Sequence, residues 1–540
     1  MFFLAFQVMA FGQGKTVTGN VTDETGAPLP GVSVVIQGTT SGTITDMDGN
    51  YSVTLEEGQN VLQFSFIGFE NQTIDVSNQS VVDVQMVPET RSIDEVVVVG
   101  YGSMKKSDVS TASVSVKGED LQQTVSANLD QALQGRAAGV TAISTSGQPG
   151  ASVSIRIRGQ STLSAGSAEP LYVVDGVPIQ NVSQGGHGVG LGDKLGNAPV
   201  STFGGGLSNI NPADIESMEI LKDASATAIY GSRGANGVVL ITTKRGKTGE
   251  AKFNYNFQYG IQEQAKRIDV MDLRQYASYS NNIAAETEGR ESREELLDPS
   301  LLGSGTDWQD AVFQTAPMQN HQISASGGTE KSKYFISGSY FDQEGTVVGS
   351  GYERFTGRVN LDSELKDWWT IGTNITFAQS EDQLGLNNSE DGIINVALKT
   401  SPDVPVYNVD GSWSGDEREG SPGKINPIAK ALDEEIRLER TNMTANVYSD
   451  ITFIEGLTLR TEASMDVGNT NAYTFTPTYQ YGNVANTQNS SRWQYNKNRF
   501  WELKNYLTYS RSFGRHSASL MAGQEAVSYT HLTLPTKRIV

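Results

Sequence analysis

Residues able to do chemistry are few and scattered. Gly14-Lys15-Thr16 and Gly246-Lys247-Thr248 each resemble the end of a phosphate loop, but the glycine required five positions ahead of the Gly-Lys pair is Met9 in one and Ile241 in the other. Neither can wrap its backbone N–H groups around a phosphate. Asp46-Met47-Asp48-Gly49-Asn50 has the oxygen spacing of a calcium loop, with Glu57 at the twelfth position. The sixth position is Tyr51, where such a loop needs Gly to bend, so a plain turn is expected. The run Gly185 to Gly192 lacks the dinucleotide spacing and follows no strand, and it reads as a mobile loop. His187, His321, His516 and His531 lie far apart, and no Gly-x-Ser-x-Gly elbow occurs. With no cysteine, disulfides and thiolate sites are excluded. Hydrolase, metalloenzyme and cofactor readings therefore lack a constellation, and the chain is expected not to be an enzyme. The six carboxylates and two arginines between Glu286 and Asp298 read as a solvated surface.

One segment suggests binding. Four consecutive valines, Val96-Val97-Val98-Val99, follow Asp94-Glu95 and precede Gly100-Tyr101-Gly102 and Lys105-Lys106. Unbroken valines fit a strand buried on both faces. Their charged and glycine-rich flanks instead describe a tethered extended segment able to add to the edge of another protein's sheet.

The elements around these residues are mostly strands. The chain has 540 residues with 61 acidic and 40 basic side chains, a net charge of −21, which argues against nucleic acid as a partner. No apolar run approaches the roughly 18 residues of a transmembrane helix. Gly (57), Tyr (20), Phe (19) and Trp (6) suit turn-rich β-structure in a chain of only 37% apolar residues. A transmembrane barrel stays open as a possibility, because it alternates lipid-facing and lumen-facing residues and dilutes its own apolar signal.

Residues 1–13 read as a signal-peptide remnant, apolar but without the usual positive start. Residues 16–88 alternate in short runs (Val32, Val34, Ile36; Tyr51, Val53, Leu55; Val82, Val84, Met86) between turn clusters, as in a small antiparallel sandwich. Residues 89–106 form a polar linker carrying the valine segment. Residues 107–248 mix elements: a helix through Leu129 and Leu133 ending at Gly135, a strand at Val153, Ile155 and Ile157, and an Asp175-Gly176 hairpin turn. Beyond these, Asn211-Pro212 caps a further element, and a small-residue helix runs from Ala224 to Tyr230, closed by Gly231. From 249 to 527 the segments are long and aromatic: Phe253 to Tyr259, Tyr334 to Tyr340, Trp369 to Phe377, Val447 to Phe453, Leu457 to Met465, Phe500 to Tyr509 and Ser517 to Met521. Short turns at 327–328 and 454–456 alternate with long polar connections at 383–441 and 470–491, the asymmetry of an outer-membrane barrel. Residues 528–540 lose the alternation and read as a non-native tail.

These residues resemble the N-terminal half of a SusC/RagA-type TonB-dependent outer-membrane transporter of the Bacteroidetes group. Val17 to Asp23, Leu29 to Val32 and Thr45 to Tyr51 are similar to its carboxypeptidase-regulatory-like module, which is not a peptidase despite its name. Asp94 to Gly102 resembles the TonB box. The plug signatures are Leu133-Gln134-Gly135-Arg136-Ala137-Ala138-Gly139-Val140, Ile155-Arg156-Ile157-Arg158-Gly159 and Pro170 to Gly176. A fourth runs from Ile220 to Gly237 and contains Lys222-Asp223, Tyr230-Gly231 and Arg233-Gly234.

The resemblance implies a mainly β fold: a regulatory-like β-sandwich, an α+β plug domain, then about nine strands of a large antiparallel transmembrane β-barrel whose family norm is about 22. It implies energised import of oligosaccharides or peptides across the outer membrane, with a SusD-like surface lipoprotein as partner. TonB, driven by ExbB/ExbD, would grip Asp94, Glu95 and Val96 to Val99. The sandwich and box would face the periplasm, and no cofactor is implied. Arg136, Arg156, Arg158 and Arg233 are expected to pair with acidic plug or barrel-wall residues and hold the plug closed. A signalling receptor and a β-rich surface binding protein are the competing readings. An open sheet with a lipid-exposed edge cannot persist in hydrocarbon, so this stretch alone should transport nothing.

Overall fold

Alternation with a period of two dominates the structure. A computed structural model describes residues 15–87, 96–99, 102–105, 113–122, 129–159, 169–179, 207, 210–385, 392–417, 425–513 and 516–539, apart from 24–25, 38, 40, 56–59, 67–68, 70, 78, 145, 152, 290 and 534–536.

The first compact unit is the sandwich. One sheet orders Asn50–Leu55, Lys15–Thr22 and Val84–Gln85; the other orders Gly42–Ile44, Ser33–Ile36, Val61–Ser65 and Gln72–Asp75. Every second residue turns inward, so Val17, Val21, Val34, Val53, Leu62, Phe64 and Met86 form one core. Asp46 accepts from the N–H groups of Asp48 (3.0 Å) and Asn50 (2.8 Å), which makes the calcium-like stretch a side-chain-closed turn.

In the second unit, residues between 113 and 243 build a five-stranded plug sheet in the order Ser113–Lys117, Ile215–Leu221, Val238–Thr243, Leu171–Val174, Val177–Ile179. Val140–Ser144 and Val153–Ile157 form a separate ribbon. Leu129, Leu133, Ile155, Ile215, Met218, Ile220 and Val239 share its core. The expected helix from Ala224 changes to a 3-10 helix at Ala228 and kinks at Gly231.

Nine antiparallel strands follow, each paired with the next: Gly249–Gln262, Ala316–Gly328, Ser332–Glu344, Gly351–Lys366, Trp369–Gln383, Glu435–Ile454, Leu457–Thr476, Ser490–Phe513 and His516–Thr533, the first to ninth barrel strands. The sheet is not closed on itself. The shortest strands have 13 residues, which tilted by about 45° span roughly 30 Å, the thickness of the hydrocarbon layer. The fourth strand shows the inverted polarity of a membrane barrel: Arg354, Thr356, Arg358 and Asn360 are buried inside, while Phe355, Val359 and Leu361 are exposed outside.

Three details differ from the sequence reading. The second and fourth strands were not among the alternating segments, because polar Gln319 and His321 and small Gly357 interrupt their outer rows. The long connections shrink to 384–434 and 477–489, since ladder pairing carries the sixth to eighth strands well beyond their apolar stretches. The ninth strand runs to Thr533 and Lys537–Ile539 pairs with the eighth, so backbone pairing imposes strand on a segment without alternation.

At the long-loop end, Trp308, Val312, Val347, Ile393, Val404 and Ile428 join three connections in one apolar cluster. Arg293 ties it further through Asp403 at 2.5 Å, so the acidic run includes an inter-loop anchor as well as a solvated surface.

Candidate functional site

The Asp175-Gly176 turn is the centre of the plug–wall contact. Both residues have positive φ, 47° and 87°, the geometry of a tight two-residue hairpin turn. Asp175 tolerates this strained backbone because its carboxylate is held on several sides. It accepts from Thr243 N (3.1 Å) and Thr243 Oγ1 (2.7 Å) within the plug, and from Arg358 Nη2 on the fourth barrel strand. The side chains of Arg358 and Asp175 are 2% and 3% exposed, so this ion pair is desolvated. Arg358 Nη1 also donates to Thr376 Oγ1 at 2.9 Å. On the eighth strand, Lys504 Nζ donates to the Gly176 carbonyl at 3.0 Å and pairs with Glu502 at 2.6 Å.

Nearby, Asp214 accepts from Gln322 Nε2 of the second strand at 2.9 Å. Burial raises the Asp214 pKa above the ordinary carboxylate value, and the Arg358 charge partly offsets that rise. The plug's exit is pinned as well. Asn360 Nδ2 donates to Thr243 Oγ1 (3.1 Å) and to the Lys244 carbonyl (2.7 Å), while Arg245 pairs with Asp362 (3.0 Å) and donates to Tyr448 Oη (3.2 Å). Toward the long-loop end, Gln148 donates to the Gly385 carbonyl. Gly150, with φ 66°, lies so close to Tyr352 that a Cβ would stand 2.4 Å from its ring. The plug is therefore held by directional polar contacts along the wall, and a continuous apolar seal is absent among the described residues. Such contacts can be exchanged for water when the plug moves.

Residues 17–98 match the CarboxypepD_reg-like domain and residues 105–238 the TonB-dependent Receptor Plug Domain. The chain is 36% identical over 537 residues to TonB-dependent receptor P3 of Formosa agariphila, covering 97% of this chain and 49% of that protein. It is 35% identical over 541 residues to TonB-dependent receptor SusC of Bacteroides thetaiotaomicron, covering 96% and 50%. The chain belongs to the SusC/RagA family of TonB-dependent receptors. It spans about half the length of the curated relatives it matches. Among solved structures, the RagAB peptide importer in its open-open state aligns with a TM-score of 0.67 at 26% identity, over 82% of this chain and 50% of that one.

In this SusC-family chain the four arginines singled out from the sequence do not act as one set. Arg158 pairs with Asp223 inside the plug, and Arg233 reaches Tyr529 and, at 3.5 Å, Glu525 on the ninth strand. Arg156 is exposed without an ion pair among the described residues, and Arg136 buries its Nη1 without a hydrogen-bond partner there. The most buried plug–wall ion pair reverses the expected polarity, with the acid on the plug and the arginine on the wall. Lys222 donates to the Ala138 carbonyl, and partial burial, with Arg158 adding repulsion, lowers its pKa. Gly159 (φ 93°) follows Arg158, Tyr230 packs on the Leu171–Leu240 cluster, and Gly234 lies against Thr227. Val96–Val99 form a strand paired with Gly102–Lys105; Asp94, Glu95 and the Gly185 to Gly192 run lie outside the described residues. Arg358, Asn360 and Lys504 escaped the sequence reading. Their signal was a charged or amide side chain at every second position between outward-facing apolar ones.

Proposed function

We propose that the protein carrying this chain imports large polar nutrients, oligosaccharides or peptides, across the outer membrane by a TonB-dependent mechanism. The observation that carries this reading is a plug held by desolvated polar contacts against a sheet that is polar inside and apolar outside. Such an assembly blocks a lumen at rest and yields to force without tearing a continuous apolar core. The short-turn end faces the periplasm, where TonB, energised by ExbB and ExbD, grips Asp94 to Val99 by strand addition and pulls. The long-loop end faces outward, where a SusD-like lipoprotein covers the opening. The similarity to a peptide importer supports this arrangement. Arg233 contributes to holding the plug closed through Tyr529 and Glu525 of the ninth strand, and Arg158 braces the plug internally through Asp223. Deleting residues 94–99 from the full-length protein tests the reading. Loss of uptake with nutrient binding retained is the expected result, and unchanged uptake would overturn it.

A further inference from the structure

One hairpin tip separates two cavities that lie between the plug and the barrel wall. Toward the short-turn end is a chamber of about 470 Å³, lined by Tyr230, Arg245, Tyr448, Arg460, Glu462 and Tyr506 among others. Its volume is within the usual range of small-molecule sites. On the other side is a gap of about 20 Å³, enough for a water molecule, with Asn374, Thr376, Asn442, Thr444 and Asn446 in its lining. Asp175 lines both spaces. The wall beside them is largely polar: Arg460, Glu462, Ser464 and Asp466 occupy every second position of the seventh strand, and Thr470 continues the row past Gly468 toward the long-loop end.

We propose that the Asp175-Gly176 turn is the gate of the solute passage, a septum whose withdrawal joins the chamber to this polar stripe. The proposal rests on the import reading and adds to it where the passage runs: along the fourth to eighth strands. The tip is suited to withdrawal. Its outer arm, Val177–Ile179, is the edge of the plug sheet and has one strand neighbour, and the turn meets the wall through the Arg358 and Lys504 contacts. The chamber sets Arg245, Arg460 and Lys504 against Asp175, Asp450 and Glu462, with three tyrosines among them. Balanced charge keeps it wet without trapping ions of one sign, so it suits hydrated, hydrogen-bonding solutes and disfavours apolar ones.

The test is KCl conductance of the full-length protein in planar bilayers, without TonB or nutrient. Replacing both partners, Asp175→Ala with Arg358→Ala, removes the tether together with both members of the buried pair and should raise conductance at least about tenfold over the wild type. Asp175→Cys with Arg358→Cys should leak equally, and joining the two thiols with a short bis-maleimide should restore the closed baseline. Wild-type conductance from both pairs, or leakage unaffected by cross-linking, would overturn the gate. Those results would leave the import reading standing, which fails only if uptake survives deletion of residues 94–99.

Discussion

Replacing Arg358 with Met should loosen the plug more than any change at the four plug arginines. Arg358 is the wall cation that serves two buried plug carboxylates: it bonds Asp175 directly and, with Lys244, lowers the cost of ionised Asp214 through its field. Methionine keeps most of the bulk but leaves Asp175 with its Thr243 hydrogen bonds and the field of Arg245, without a direct ion-pair partner. Removing one member of a desolvated pair costs about 3–5 kcal/mol, because the other charge remains buried. If the plug opens locally, that corresponds to a roughly 100- to 4,000-fold rise in amide exchange. The measurement is hydrogen exchange of the full-length protein in detergent, read at Leu171–Val174, Val177–Ile179 and Val238–Thr243. Adding Asp175→Asn to Arg358→Met should recover most of the protection, since an amide needs no counter-charge. Less than a tenfold change in the single variant, or no recovery in the double, would refute the claim that this pair seats the plug.

Asp214 carries a pH signature. Its folded pKa is raised above the unfolded value, so its contribution to plug seating is fully present below the ordinary carboxylate pKa of 3.8 and is lost as pH rises through the folded value. Asp214→Asn should flatten that part of the pH dependence of plug exchange; an unchanged slope would assign it to another group. In the sandwich, Tyr51 is 4% exposed, donates to the Val82 carbonyl at 2.8 Å and sets its ring edge against Phe64. Burial, with help from Asp83, pushes its hydroxyl pKa up to about 12. Expressed as residues 15–88, the domain should keep this contribution below pH 10 and lose roughly 2–3 kcal/mol as pH rises toward 12. Tyr51→Phe should cost about 1–2 kcal/mol at neutral pH by stranding the carbonyl. Its thermal unfolding should then show a smaller alkaline loss than the wild type, and parallel curves would count against the buried-hydroxyl account.

Much of this architecture was legible from local pattern. The Val32-Val34-Ile36 and Tyr51-Val53-Leu55 rows, the Asp175-Gly176 turn and the Asn211-Pro212 cap depend on neighbours only a few residues away, and alternation alone marked one face of most barrel strands. Charge and the missing cysteine removed whole classes of chemistry before any fold was considered. The partners across the plug–wall interface were not legible. Arg358 lies 183 residues from Asp175, and Lys504 lies 328 from Gly176. Which arginine meets which acid depends on strand register, and a slip of one residue would turn Arg358 out toward lipid. Sequence by itself determined a small sandwich, a mixed helix-and-strand region and long alternating strands, because periodicity and turn chemistry act locally, and the family resemblance implied that the middle region is a plug. Tertiary structure alone decided that the deepest ion pair has its arginine on the wall and that a two-residue turn divides the space beside it, because both follow from ladder pairing over hundreds of residues.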